Sequence, residues 1–153
     1  MLDQSLTEFL ECGLAIHIGT RNASMRPNGC RVTAVRVEDQ GRHLVAYLPK
    51  AASPEVFDDL RGNGQAALSF ARPTDDRAVQ VKGVYLSERD ADPSEEAFVL
   101  GQWQSLLKEL DVIGLAPLTS TSTWLMWPCV AVTINVTAVF SQTPGPEAGA
   151  VLV

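Results

Sequence analysis

Three short stretches hold the residues best suited to chemistry. In "CRVT" (30–33), Arg31 and Thr33 share one face of a run rich in β-branched residues. In "YLPKAASPE" (47–55), Lys50 and Ser53 stand just before a helix start, where free backbone N–H groups and the helix dipole favour an anion. In "RAVQVK" (77–82), Arg77, Gln80 and Lys82 add donors, with Gln80 and Lys82 on one side and Val79 and Val81 on the other. Taken together these residues suit an anion site, a phosphate above all. They also suit a plainer arrangement, in which Ser53 caps a helix, Lys50 is solvated and the strand charges cover an outer face. At the level of the residues both remain open.

Other chemistries find less support. His17 and His43 are the only histidines, and no Cys or His pair has metal-ligand spacing. His17, on an alternating stretch, is expected as a partly buried structural residue. Cys30 precedes Arg31, a neighbour that lowers a thiol pKa when it lies close, but no base accompanies it. There is no G-x-S-x-G elbow, no G-x-G-x-x-G and no P-loop; "GNG" at 62–64 ends a helix. Trp124 and Trp127, before the last strand, suit either stacking on a planar ligand or packing at an interface.

Bulk properties narrow the class. The 153 residues carry a net charge of −6, which argues against nucleic acid or an anionic membrane as partner. No apolar run approaches the ~20 residues of a membrane helix. The three cysteines, Cys12, Cys30 and Cys129, are far apart and fit a reducing cytoplasm, and the acidic N-terminal stretch lacks the basic region of a secretory signal.

The elements that must position these residues follow from periodicity. A short helix is expected over 3–12, with Leu6, Phe9 and Leu10 on one face and Ser5 and Glu8 as a capping box. Strands are expected at 14–20, 30–38, 43–48, 65–71, 77–87 and 129–140, and further helices at 53–61 and from Asp92 to about Leu110. In the last strand Val130, Val132, Ile134, Val136 and Phe140 are expected on one side, and Thr133, Asn135 and Thr137 on the other. Short turns imply antiparallel pairing. The expected fold is α+β and mainly β: a six-stranded antiparallel split β-barrel with short flanking helices. It fills one domain over 1–140, followed by a Pro/Gly-rich, extended or loosely ordered tail over 141–153.

The order of "LAIHIGTRNASMRPNGCRVTAVRV", "HLVAYL", "ASPEVFDDLRGNGQAALSFARP" and "RAVQVKGVYL" resembles the pyridoxamine 5′-phosphate oxidase-like family, the flavin-binding split barrels. The resemblance covers about residues 5–90, with a turn at Ser24-Met25-Arg26-Pro27. It implies flavin mononucleotide (FMN) as cofactor, a homodimer holding it between subunits, and oxidoreductase chemistry between a nicotinamide or small organic substrate and an acceptor. Arg31, with Val32 and Thr33, matches the positions that meet the flavin. Tyr47 to Ser53 match the segment lining it, and Ala78 or Gln80 the polar position on the fifth strand. There is one departure. Where the family places a lysine for the phosphate, this chain has Val56, with Glu55 beside it. Either Arg31, Arg26 or Arg77 takes the phosphate, with Lys50 spaced less well for it, or flavin binds weakly, or the chain binds another ligand. A non-catalytic flavin- or haem-binding module, or a dimer without cofactor, is the alternative function.

Overall fold

The computed structural model describes residues 1–52, 54–115 and 126–153. In chain order the elements are α1 (Gln4–Leu10), β1 (Ala15–Arg21), β2 (Pro27–Val32), β3 (Ala34–Glu38), β4 (His43–Pro49), α2 (Pro54–Asn63), β5 (Gln65–Ala71), β6 (Ala78–Asp90), α3 (Glu96–Val112) and β7 (Cys129–Ser141). The strands form one antiparallel sheet in the order β2-β1-β5-β6-β7-β4-β3.

The sheet has seven strands, not the six expected, because the 30–38 run breaks at Thr33. The Thr33 N–H donates to the Tyr47 carbonyl at 2.8 Å and its hydroxyl to the Met126 carbonyl at 3.0 Å. The upstream half, which starts early at Pro27, pairs with β1; the downstream half pairs with β4. β2 and β3 are thus the two edges of the sheet, yet a single residue joins them. The sheet must curl until its edges meet, and a split barrel results.

Alternation then sorts side chains. Ile16 and Ile18 of β1, Leu68 and Phe70 of β5, Val79 and Val81 of β6 and Ile134 of β7 are all buried in the barrel core. α1 adds Leu6, Phe9 and Leu10, and α2 adds Val56, Phe57 and Leu60. At ~1.5–3 kcal/mol for each large side chain buried, this cluster is the main source of stability.

The β3 edge is closed by side chains. The Gln102 amide of α3 both accepts from the Val35 N–H (3.0 Å) and donates to the Val35 carbonyl (2.7 Å), and Glu11 accepts from the Val37 N–H at 2.7 Å. Left open, that edge would invite pairing with another chain.

Two local expectations are corrected. The α1 cap is Asp3, whose carboxylate accepts from the Leu6 N–H at 2.8 Å, while Glu8 accepts from Gln4 rather than boxing with Ser5. In β7, Lys82 faces Ala138 but Gly83 faces Val136, so Thr137 is an extra residue in the ladder. The bulge inverts the phase: Val139 is buried, and Phe140 turns outward beneath Lys82, whose Nζ lies 4.9 Å from the ring centre. The Asp92 start of the α3 segment is as expected, with a full capping box to Glu95.

Beyond β7 the tail turns back. Gly149 and Leu152 donate to the carbonyls of Ser141 and Val139, and Val151 bridges to Phe140. Among the described residues, no helix is long and apolar enough to cross a membrane.

Candidate functional site

The outer face of β2, β1, β5 and β6 gathers polar side chains in one cross-strand row. Arg31 stands opposite His17, His17 opposite Ser69, Ser69 opposite Gln80, and Gln80 opposite Phe140. Directly opposed residues share a face, so the row runs unbroken across five strands. It presents a guanidinium, an imidazole, a hydroxyl and an amide, a set rich in donors. Two residues along each strand lies a second row of Gly29, Gly19, Ala67, Lys82 and Ala138. Its small members leave the backbone accessible, and a groove of about 500 Å³ opens there. Gly19, Ala67 and Gly83 lie along it, with Thr20, Arg21, Gln65, Lys82 and Thr137 as its polar members and no carboxylate in its lining. The volume falls within the usual range for small-molecule sites, ~300–1,000 Å³.

His17 stands on this face, exposed overall, with its ring partly desolvated against the sheet. Partial burial against the sheet, and then the charge of Arg31, hold its pKa below the ordinary histidine value. It is therefore a neutral donor and acceptor at pH 7. Arg31 lies 5.7 Å from the centre of the Trp103 ring of α3. Cys30 alternates to the other side, packs against the core and has its thiol pushed up to about 11 by burial, so Arg31 does not activate it.

The structure brings only three of the expected site residues together, namely Arg31, Gln80 and Lys82. Val32 is in the barrel core and Thr33 is buried at the strand break. Tyr47 is fully buried, stacked edge-on to Phe98 at 6.1 Å. Lys50 pairs with Asp90 at 2.8 Å. Arg77 lies over the Phe9 ring at 4.1 Å, at the α1 end of the barrel. Trp127 packs on the smaller core cluster with Cys129 and Ala131. Ser53 and Trp124 lie outside the described residues. Val56, where the resemblance expects a lysine, is fully buried, so a cation there would point into the barrel.

Sequence reasoning missed His17, Arg21 and Ser69. Each alternates outward, which was legible. Their meeting with Gln80 depends on antiparallel register, which one sequence does not display.

A second groove, at Arg36, Arg89 and Asp92 to Glu95, is built around a structural carboxylate. Glu95 accepts from the Tyr47 hydroxyl (2.7 Å), from both terminal nitrogens of Arg89 (2.7 and 2.9 Å) and from the Asp92 N–H (2.8 Å). The Arg89 hydrogen bonds, more than any other cause, hold its pKa down at about 2. This network ties the α3 start to β4 and β6.

Comparison with solved structures places the fold. No sequence-family model and no curated protein sequence matches the chain. Solved structures do. HupZ of Group A Streptococcus aligns over 97% of this chain and 100% of its own, at TM-score 0.57 and 15% identity. A pyridoxamine 5′-phosphate oxidase candidate from Lactobacillus delbrueckii aligns over 91% and 93%, at TM-score 0.56 and 14% identity. An FMN-binding protein from Syntrophomonas wolfei aligns over 91% and 87%, at TM-score 0.53 and 11% identity. The chain has the fold of the pyridoxamine 5′-phosphate oxidase-like split barrels.

Proposed function

We propose that this protein binds flavin mononucleotide on the outer sheet face and acts as an oxidoreductase, passing electrons between a nicotinamide or small organic substrate and an acceptor. One observation carries the proposal: the row Arg31–His17–Ser69–Gln80 beside a mostly apolar groove that is partly cationic and free of carboxylates. The donor set fits the group. A flavin ring carries carbonyl and ring-nitrogen acceptors along one edge, and the row supplies donors along one line. The similarity in fold to an FMN-binding protein supports the same assignment.

When bound, the flavin supplies the redox chemistry. The chain's own residues bind and orient. Arg31 brings a permanent positive charge to one end of the row, which favours a ligand that gains electron density. Neutral His17 and Gln80 each both donate and accept, so they follow a change in a ligand's protonation without a charge of their own. The proposal includes a homodimer through this face. Exposed Val84 and Leu86 of β6 give the surface apolar area for a second copy to cover.

Arg31→Ala tests the row. It removes a charge-assisted donor, so FMN affinity is expected to fall about 10- to 100-fold, read by quenching of flavin fluorescence. Anaerobic addition of NADH or NADPH to the FMN-loaded protein tests electron transfer. Bleaching of the flavin bands supports it. Flavin that stays oxidised with both donors leaves a binding protein only.

A further inference from the structure

A mononucleotide needs a grip for its phosphate; of the expected cations, Arg31 stands in the ring-binding row and Arg26 on the exposed turn before β2, and the others lie elsewhere. Val56 faces the core, Lys50 is paired with Asp90, and Arg77 lies over Phe9. Other cations are also committed: Arg36 and Arg89 to Glu95, Arg42 to Asp39, Arg61 to Glu88 and Arg72 to Asp75. Two on the groove itself are not. Among the described residues, neither Arg21 nor Lys82 has a carboxylate partner.

We propose that Arg21 and Lys82 form a phosphomonoester site at the groove, in place of the mouth of α2; this rests on the flavin assignment above. Lys82 faces Ala67, Ala67 faces Gly19, and Arg21 lies two residues along β1 from Gly19. The two Cα atoms are therefore about 12 Å apart, from two strand spacings across and two residues along. Both side chains are long enough to converge over Ala67.

Arg21 is pre-positioned, whereas Lys82 must swing from the β7 side to reach over Ala67. Arg21 donates to the Gln65 side-chain oxygen at 2.9 Å and to the Asn22 carbonyl at 3.3 Å, which orients the guanidinium and leaves the rest of its donor fork for a ligand. The Lys82 ammonium rests over Phe140. The Thr137 bulge is what turns that ring outward, and the Thr137 hydroxyl, donating to the Lys82 carbonyl at 3.1 Å, anchors the same strand position. With no acid in the lining, the pair meets a dianion without internal competition. The ring-binding row and the phosphate pair flank the same small residues, so one ligand spans both.

The test compares FMN with riboflavin, which differs only by the phosphate. Both are titrated by fluorescence quenching into the wild type, Arg21→Gln, Lys82→Gln and the double variant, with thermal unfolding as a check. The wild type should prefer FMN by at least about tenfold. The double variant should bind both equally, with riboflavin affinity unchanged. Retention of the FMN preference in the double variant overturns the phosphate site and leaves flavin binding intact. Equal binding of both by the wild type does the same. Binding of neither by the wild type overturns the flavin assignment and the phosphate site together. Lys82→Glu gives a further arm: at an exposed position it should fold, and it should invert the preference toward riboflavin.

Discussion

Glu95→Ala is expected to destabilise the protein by about 3 kcal/mol, the largest loss from any single polar side chain considered. The Tyr47 hydroxyl, fully buried, loses its acceptor, and an unsatisfied buried donor costs about 1–3 kcal/mol. The capping box at Asp92 opens as well, which costs about 1 kcal/mol more. Arg89 is half exposed and regains water, so its lost pairing adds little. The pH dependence gives a second signature. The folded-state pKa of Glu95 is depressed to about 2 from an ordinary value of 4.5. A depressed carboxylate contributes stability above its unfolded pKa and loses it as pH falls through the folded one. Wild-type stability, read by urea unfolding, should therefore fall between about pH 4.5 and pH 2. Glu95→Gln, which keeps the shape, should flatten that part of the profile. A Glu95→Ala protein as stable as wild type at pH 7 would mean that the network only decorates the α3 start.

Ala67→Trp is expected to abolish FMN binding, lowering affinity by at least about 100-fold, while changing stability by less than about 1 kcal/mol. The two halves have separate causes. Ala67 lies in the groove lining, between Gly19 and Lys82 in its row, so an indole there occupies the space between the donor row and the cation pair. Affinity falls because the ligand loses its surface, not because one hydrogen bond is gone. Stability holds because Ala67 alternates away from Ala66 and Leu68, which are buried, and outward substitutions rarely cost much. FMN titration and thermal unfolding on one sample check both halves. FMN affinity unchanged by the indole would place the flavin elsewhere.

Much of the barrel was legible in the chain. Strands with clean alternation, such as 14–20 and 65–71, were found close to their true limits, and Asp92-Pro93-Ser94-Glu95 announced its helix through cap chemistry that acts locally. The misses were non-local. Thr33 looks like one more β-branched strand residue, and only its bonds to Tyr47 and Met126 make it a break. Phe140 reads as a core residue by counting twos from Val130, and the bulge at Thr137 reverses the count. Asp59 sits in a helix read for its apolar face. Buried, it accepts from Thr20 at 2.8 Å and Asn28 at 2.7 Å, tying α2 to β1 and β2. The candidate site was the least legible part. Arg31, Gln80 and Lys82 were chosen for their donors, but the partners that make a surface with them, His17, Arg21 and Ser69, meet them only through strand register. Tyr47 shows the converse: its place in the segment expected to line a flavin gives no sign that its hydroxyl is committed to Glu95.

The most direct measurement is the visible absorption spectrum of the full chain, freshly purified and again after incubation with excess FMN and desalting. Binding at the outer face predicts a retained two-band flavin spectrum, near one flavin per chain, that Ala67→Trp fails to retain. A wild-type protein that is colourless as purified and releases all added FMN on desalting would contradict the flavin assignment.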